Sequence, residues 1–240
     1  MSAANISSRP PERFAPVPAG VVISYCIYQA HLSDVNLELM LTYKMLHQKP
    51  EAVIRLLKVH ERKHNRQYYS RVRDKHHTEQ DPAALAARFI YLNKTCFNGL
   101  YRVNKAGKFN VPIGRHNKVT ICDEKNLMAV SSVLDKATLR MSQFDKITPA
   151  EGDLVYCDPP YDGTFTGYTG AGFGEADQKR LQATCEKWRQ AGVHVIVSNN
   201  DTPLIRRLYS KWNLHEVHAP RNINCNGNGR GKVAELLISG

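Results

Sequence analysis

Asp153-Leu154-Val155-Tyr156-Cys157-Asp158-Pro159-Pro160-Tyr161 is a short apolar run that ends in a stiffened turn. Asp153–Cys157 reads as a strand, and the two prolines stop it, because each fixes φ and lacks an N–H for a sheet ladder. Downstream, Glu175–Ala191 reads as a helix ended by Gly192. Val193–Val197 is then a near-continuous apolar strand of the kind buried in a parallel sheet. Thr202–Leu208 reads as a short helix. Leu214–His218 and Val233–Ile238 read as a closing strand pair around the glycine-rich Asn226–Gly231. Strands alternating with helices predict an α/β chain with a mainly parallel sheet.

Upstream the alternation is lost. The proline-rich first twenty residues read as irregular, and Val21–Tyr28 as a strand. Leu37, Leu41, Met45 and Leu46 recur at helical spacing, and Pro50 ends that helix. A second helix begins near Pro50 and carries Val53, Ile54, Leu57 and Val59 on one side. A dense basic stretch follows between Lys58 and His77, with Arg62, Lys63, Arg66, Arg71, Arg73 and Lys75. Pro82–Asn93 reads as a helix capped by Asp81, and Gly99, Gly107 and Gly114 punctuate a turn-rich segment. Residues 47–120 therefore read as an inserted, more helical domain within a catalytic domain made of 1–46 and 121–240.

The 240 residues hold 33 Lys plus Arg against 22 Asp plus Glu, a net charge of +11, which favours a polyanionic partner, nucleic acid first. Hydrophobic and charged fractions of 42% and 23% are ordinary globular values and exclude wholesale disorder. No apolar run approaches the ~20 residues that a membrane helix needs, and no signal peptide is expected. The six cysteines are scattered without a C-x-x-C pair, so reduced thiols are expected and a metal site is not.

Asp158-Pro159-Pro160-Tyr161 follows its strand directly, and ligands of open α/β sheets bind at the carboxyl ends of strands. The set suits a planar substrate with an exocyclic amino group. The Asp158 carboxylate and the Pro159 carbonyl accept its two hydrogens, Pro160 stiffens the turn, and Tyr161 stacks on the ring. The nitrogen lone pair is then aimed at an electrophile, so catalysis comes from orientation and fixed dipoles. An ordinary Pro-Pro turn with a capping Asp is the alternative for the bare tetrapeptide.

In this setting the chain resembles the Dam-type DNA adenine-N6 methyltransferases from about Ala30 to Leu237. The motifs fall in family order: His31–Asn36, read as following the second strand; Phe97–Arg102 and Phe109–Arg115; the Asp-Pro-Pro-Tyr turn; Phe165–Tyr168; Ser198–Asp201; and Arg221 to Leu237. The resemblance implies a Rossmann-like methyltransferase fold, with a mainly parallel sheet, an antiparallel terminal strand and a mostly helical target-recognition insert bearing a β-hairpin. It implies S-adenosylmethionine as cofactor, with Asp34 on the ribose hydroxyls and Phe144 (in Gln143–Asp145) and Phe14 in the cofactor site beside Asp158. It further implies double-stranded DNA as partner and a flipped adenine in a GATC-like site. Phe97 and Asn98 match the residues that fill or probe the gap. Arg102 matches the base-reading arginine, for which a bidentate contact to guanine is the commonest specific readout. Tyr101, Lys105, Lys108, Pro112 and Arg115 line the same segment and are expected to contact DNA bases or backbone. A cytoplasmic monomer is expected, in a restriction–modification setting.

The chain departs from the family pattern near its start. Nothing matches the family's Trp-Ala-Gly-Gly-Lys segment, and the Phe-x-Gly-x-Gly loop corresponds to Phe14–Gly20, with Pro16 and Pro18 at the glycine positions. Proline reaches no positive φ and offers no N–H to a ligand. A DNA-binding relic without cofactor stays open on this ground, and an amino-methyltransferase acting on cytosine N4 or RNA stays open because the Asp-Pro-Pro-Tyr turn alone fits a purine or a pyrimidine.

Overall fold

The computed structural model describes residues 2–7, 29–75, 80–104, 106–115, 119–163, 172–220 and 232–240. The Val21–Tyr28 strand, Phe14, Lys105, Phe165–Tyr168 and the Asn226–Gly231 loop, all read from sequence above, lie outside them.

Seven strands form one sheet: β1 (Ser2–Ser7), β2 (Gln29–Asp34), β3 (Ala137–Met141), β4 (Leu154–Asp158), β5 (His194–Asn200), β6 (Asn213–Pro220) and β7 (Lys232–Ser239), in the order β3-β2-β1-β4-β5-β7-β6. β2 runs parallel to β3 and β4 parallel to β5. β7 is antiparallel to both β5 and β6, with Leu214 facing Ile238. The first segment corrects the sequence reading, since Ser2–Ser7 is a strand and not irregular. It lies between β2 and β4, antiparallel to each, so two strands run against the rest. Asp34 likewise does not follow its strand but is the last residue of β2.

Seven α-helices complete the described fold: α1 (Leu37–Gln48), α2 (Pro50–Lys63), α3 (Arg66–Asp74), α4 (Pro82–Thr95), α5 (Glu124–Leu134), α6 (Glu175–Gln190) and α7 (Pro203–Leu208). Their starts follow local chemistry. Asn36, Asn65, Asp81, Asp123 and Thr202 each cap a helix by accepting a backbone N–H, and Pro50, Pro82 and Pro203 stand in first turns, where a missing N–H costs nothing. The basic stretch, read from sequence without a helix of its own, contains α3. That helix buries only Tyr69 and Val72, three residues apart. α4 packs against α1, α2 and α3. Its Ala83, Ala86 and Ala87 are buried, and side chains this small let neighbouring helices approach closely.

Two apolar cores result. One runs from Met45 and Leu46 through α2, α3 and α4 to Leu127 and Leu134 of α5, with Leu32 and Leu139 of the sheet against it. The other joins β4, β5 and β7 to α6 and α7 through Val155, Val195, Val197, Leu181, Ile205 and Ile238.

Candidate active site

The strand order reverses at the centre of the sheet, where β2 and β4 flank β1. In an open α/β sheet such a reversal leaves a crevice at the carboxyl ends of the parallel strands. Asp34 and Asp158 are the last residues of β2 and β4, and both pair with Ser2 across β1. They therefore stand two strand spacings apart, about 9.5 Å between backbones. Two carboxylates distant in sequence thus share one edge.

Asp34 is 5% exposed, and its Oδ1 accepts the Asn36 N–H at 2.7 Å. Its backbone carbonyl accepts from the Ser142 N–H, and the Ser33 hydroxyl donates to the Ser142 carbonyl, which ties the end of β3 to the end of β2. Two large apolar side chains flank this point in the open, Leu37 at 64% and Met141 at 61% exposure. Phe144, in a 3-10 turn after β3, is buried in the second core. The Arg180 guanidinium lies 4.9 Å over its ring, and Phe173 meets it edge-on.

Asp158 is exposed at its strand end, and its Oδ1 accepts the Ser198 hydroxyl at 2.7 Å. Pro159 is buried; Pro160 and Tyr161 are half-buried. Burial pushes the Tyr161 phenol up to about 12, with the Asp158 charge adding to the rise and a hydrogen bond with Ser198 opposing it, so the ring is neutral at physiological pH. The Pro160 carbonyl accepts the Gln178 amide at 2.9 Å. Asn199 accepts the Asp162 N–H and donates to Gln178, while Thr202 donates to the Asp162 carboxylate at 2.7 Å. In the sequence, Ser198–Asp201 is a motif without assigned roles. Gln178 carried no sequence signal, being one polar residue in a charged helix.

The turn-rich segment forms a separate constellation. Cys96 bridges Ile113 and Val103 bridges Phe109, with Asn104 and Lys108 closing the tip. Gly114 fits because a Cβ there would stand 2.8 Å from the Cys96 carbonyl oxygen. Phe97 is half-buried against the helical core. Asn98 follows at φ 54°, in the left-handed region that Asn tolerates better than most residues. Arg102 donates from Nε to Asn110 Oδ1 at 2.7 Å and from Nη2 to the Asn110 carbonyl at 3.2 Å. Pro112, Lys108 and Arg115 are exposed. Tyr101 turns inward instead: its hydroxyl donates to Glu38 at 2.9 Å, and its ring packs against Phe89 and Phe109. α3 is tied to this segment by Tyr69, whose hydroxyl donates to the Val111 carbonyl. A cleft of about 550 Å³ between α2, α3 and α4 is lined by Lys63, Arg71 and Lys75 with Tyr68 and His60, and by no acidic residue among the described ones. Burial beside Arg88 and Lys63 holds His60 down to about 4, so it adds no charge there at neutral pH.

A braced Asp-Pro-Pro-Tyr turn, a second acidic strand end two strands away and a basic hairpin are thus the main polar features of the described fold. The profile of the D12 class N6 adenine-specific DNA methyltransferases matches residues 19–223. The chain belongs to this family. A Type II methyltransferase of Lactococcus lactis subsp. cremoris is 34% identical over 88% of this chain and 79% of its own length. The retron Ec67 DNA adenine methylase of Escherichia coli is 38% identical over 88% and 76%, and a DNA adenine methylase of Vibrio cholerae 35% over 92% and 83%. As a D12-class enzyme the chain is a DNA adenine-N6 methyltransferase, which requires a methyl donor and a DNA substrate. Among the described residues, no helix of this methyltransferase is long and apolar enough to cross a membrane.

Proposed function

We propose that this methyltransferase acts on an adenine flipped out of duplex DNA, in a GATC-like site, with S-adenosylmethionine as donor. The observation that carries the reading is the convergence of Asp34 and Asp158 at the reversal of the sheet, with the Asp-Pro-Pro-Tyr turn held rigidly beside them. The Rossmann-like reading of the fold rests on the same reversal. Residues 47–120 serve as the target-recognition part, and the remainder as the catalytic part.

A base inside the stack cannot reach a strand-end pocket, so extrusion is needed, at a cost of a few kcal/mol. Phe97 and Asn98, at the base of the hairpin, fill the gap that extrusion leaves. Arg102 reads a base edge, and Lys105, Lys108, Pro112 and Arg115 hold the flanking backbone and bases. In the pocket, Asp158 accepts one amino hydrogen through the oxygen that Ser198 leaves uncommitted. The Pro159 carbonyl, one residue before the carbonyl that Gln178 holds, accepts the other, and neutral Tyr161 stacks on the ring. Both acceptors draw on the N–H bonds and leave the lone pair directed outward. Catalysis is then orientation and charge stabilisation on fixed groups.

The described residues fit the donor at its ribose end. Asp34 presents a carboxylate at a strand end between exposed Leu37 and Met141, which suits paired hydroxyls beside an apolar ring. Phe144, in the turn that follows β3 with Arg180 over its ring, is assigned to the donor's ring, and Phe14, outside the described residues, to the same site. When bound, S-adenosylmethionine supplies an electrophilic methyl group.

The test is labelled-methyl transfer to GATC-containing duplex. Transfer to adenine is expected from the unaltered chain. Asp158→Ala is expected to abolish it while leaving sequence-specific DNA binding within about twofold, since the hairpin is untouched. Transfer that survives in Asp158→Ala overturns the site. Salt-sensitive specific binding without any transfer favours the relic, and transfer to cytosine or RNA the other amino-methyltransferase.

A further inference from the structure

Four hydrogen bonds brace the Asp158–Asp162 turn from behind, and their polarity runs one way. The backbone N–H groups of Asp162 and Asn200 both donate to Asn199 Oδ1, each at 2.9 Å. A backbone N–H can only donate, so this pair fixes which side of the Asn199 amide is oxygen. Asn199 Nδ2 must then donate, and does so to Gln178 Oε1 at 3.1 Å. That leaves Gln178 Nε2 for the Pro160 carbonyl, which can only accept, at 2.9 Å. Gln178 and Asn199 are 1% and 0% exposed, so water does not substitute for either partner. Both ends of the chain are backbone groups of the same turn, and reversing either amide would set two acceptors face to face.

We infer that Gln178 is a positioning residue for methyl transfer. Acting through the Pro160 carbonyl, and oriented by Asn199, it sets the direction of the Pro159 carbonyl that receives the substrate amine. It touches neither substrate nor cofactor. The inference rests on the amine-binding reading of this turn given above. It explains why a buried Gln on α6 and a buried Asn at the end of β5 are spent on one short loop. Pro160 confines the ψ of Pro159 to the extended region without fixing it within that region, and this ψ aims the Pro159 carbonyl. Tying down the next carbonyl removes that freedom.

The test compares kcat, DNA affinity and pH profile for the unaltered chain, Gln178→Glu and, as site control, Asp158→Ala. A carboxylate at 178 accepts from Asn199 but opposes the Pro160 carbonyl. Once protonated, it donates to that carbonyl as the amide does. At alkaline pH, Gln178→Glu is expected to lose about tenfold to a hundredfold in kcat, the scale set by displacing a reacting group by up to an ångström. DNA affinity is expected to stay unchanged, and the kcat ratio to the unaltered chain to recover as pH is lowered. A role confined to stability would not produce that recovery. Unchanged kcat in a folded Gln178→Glu chain, or a loss equal at every pH, overturns the proposal.

If Gln178→Glu does not fold, Asn199→Asp takes its place. It keeps the acceptor for both backbone N–H groups and removes only the donor to Gln178. It is expected to lose kcat at constant DNA affinity; unaltered kcat, or a failure to fold here too, overturns the proposal. An unaltered chain that transfers no methyl group to adenine fells the amine-binding reading and this inference with it. An active unaltered chain, beside an inactive Asp158→Ala and a fully active Gln178→Glu, fells the inference alone.

Discussion

Arg102 is held by its own hairpin. Its Nε and Nη2 are spent on Asn110, across the strand pair, which fixes the plane of the guanidinium before any DNA arrives. A preset plane suits bidentate recognition, because less rotamer freedom is lost on contact. Four and three residues earlier the chain turns through Asn98 and Gly99, both at positive φ, so Phe97 and Arg102 leave a rigid corner. If Arg102 reads a base edge, Arg102→Ala relaxes discrimination at one base pair by ~1–3 kcal/mol and leaves the other positions intact. Competition binding with each base pair replaced in turn measures this. Weakening that is uniform over all sequences makes Arg102 a phosphate contact.

At the scale of elements, what was legible in the sequence had local causes. The β4 strand and its proline stop, the Asp81 cap of α4 and the Gly192 end of α6 each announce themselves within a few residues. β1 does not. Ser2-Ala3-Ala4-Asn5-Ile6-Ser7 holds one β-branched residue and no alternation, and it is extended because β2 and β4 pair with it from both sides. α3 was hidden by its charges, since Tyr69 and Val72 alone mark its buried face. Of the candidate site, the Asp158 turn and Asp34 were readable as motifs, whereas Gln178 was not, because a hydrogen bond across the core leaves no periodic trace. Tyr101 looked like a DNA contact for the same reason: its partner, Glu38, is far away in sequence.

The joint that Tyr101 serves is centred on Arg88, buried on α4. Arg88 donates to the Val72 and Arg73 carbonyls at the end of α3 and to Glu38 in the first turn of α1. One side chain thereby ties three helices and satisfies carbonyls that helix geometry leaves unpaired. Arg88→Met takes the ion pair from the Glu38 carboxylate, which keeps the Tyr101 hydroxyl, and takes the donor from both carbonyls; it is expected to cost about 3–5 kcal/mol, as breaking a buried pair does. The denaturant midpoint reads this out. Adding Glu38→Gln is expected to recover part of the loss, because the charge that lost its counter-ion is then gone; no recovery places the whole effect on the α3 carbonyls.

Over the whole molecule, the +11 charge is unevenly free. Around α6 and α7 several cations are neutralised locally: Lys179 by Glu175, Arg189 by Glu186, and Arg206 by Asp201 and Glu216. On α2 and α3, Lys63, Arg66 and Arg71 are exposed and have no ion pair among the described residues, and two of them line the cleft beside Tyr68. The hairpin is anchored to this same α3 through Tyr69 and Val111, so these cations and the residues proposed to read bases form one body. On that proposal, DNA bound at the hairpin runs over α2 and α3, and each phosphate neutralised there releases counterions. The slope of log affinity against log salt falls by about 0.9 for each such contact removed. Replacing Lys63, Arg66 and Arg71 by Ala together is expected to flatten that slope by up to about 3 and to weaken all sequences alike. Lys179→Ala, which removes a cation already paired on α6, is expected to leave the slope where it was. Fluorescence anisotropy over a salt series separates the two. An unchanged slope in the triple variant means that the DNA leaves the hairpin by another face, and that the excess charge of α2 and α3 serves something other than its backbone.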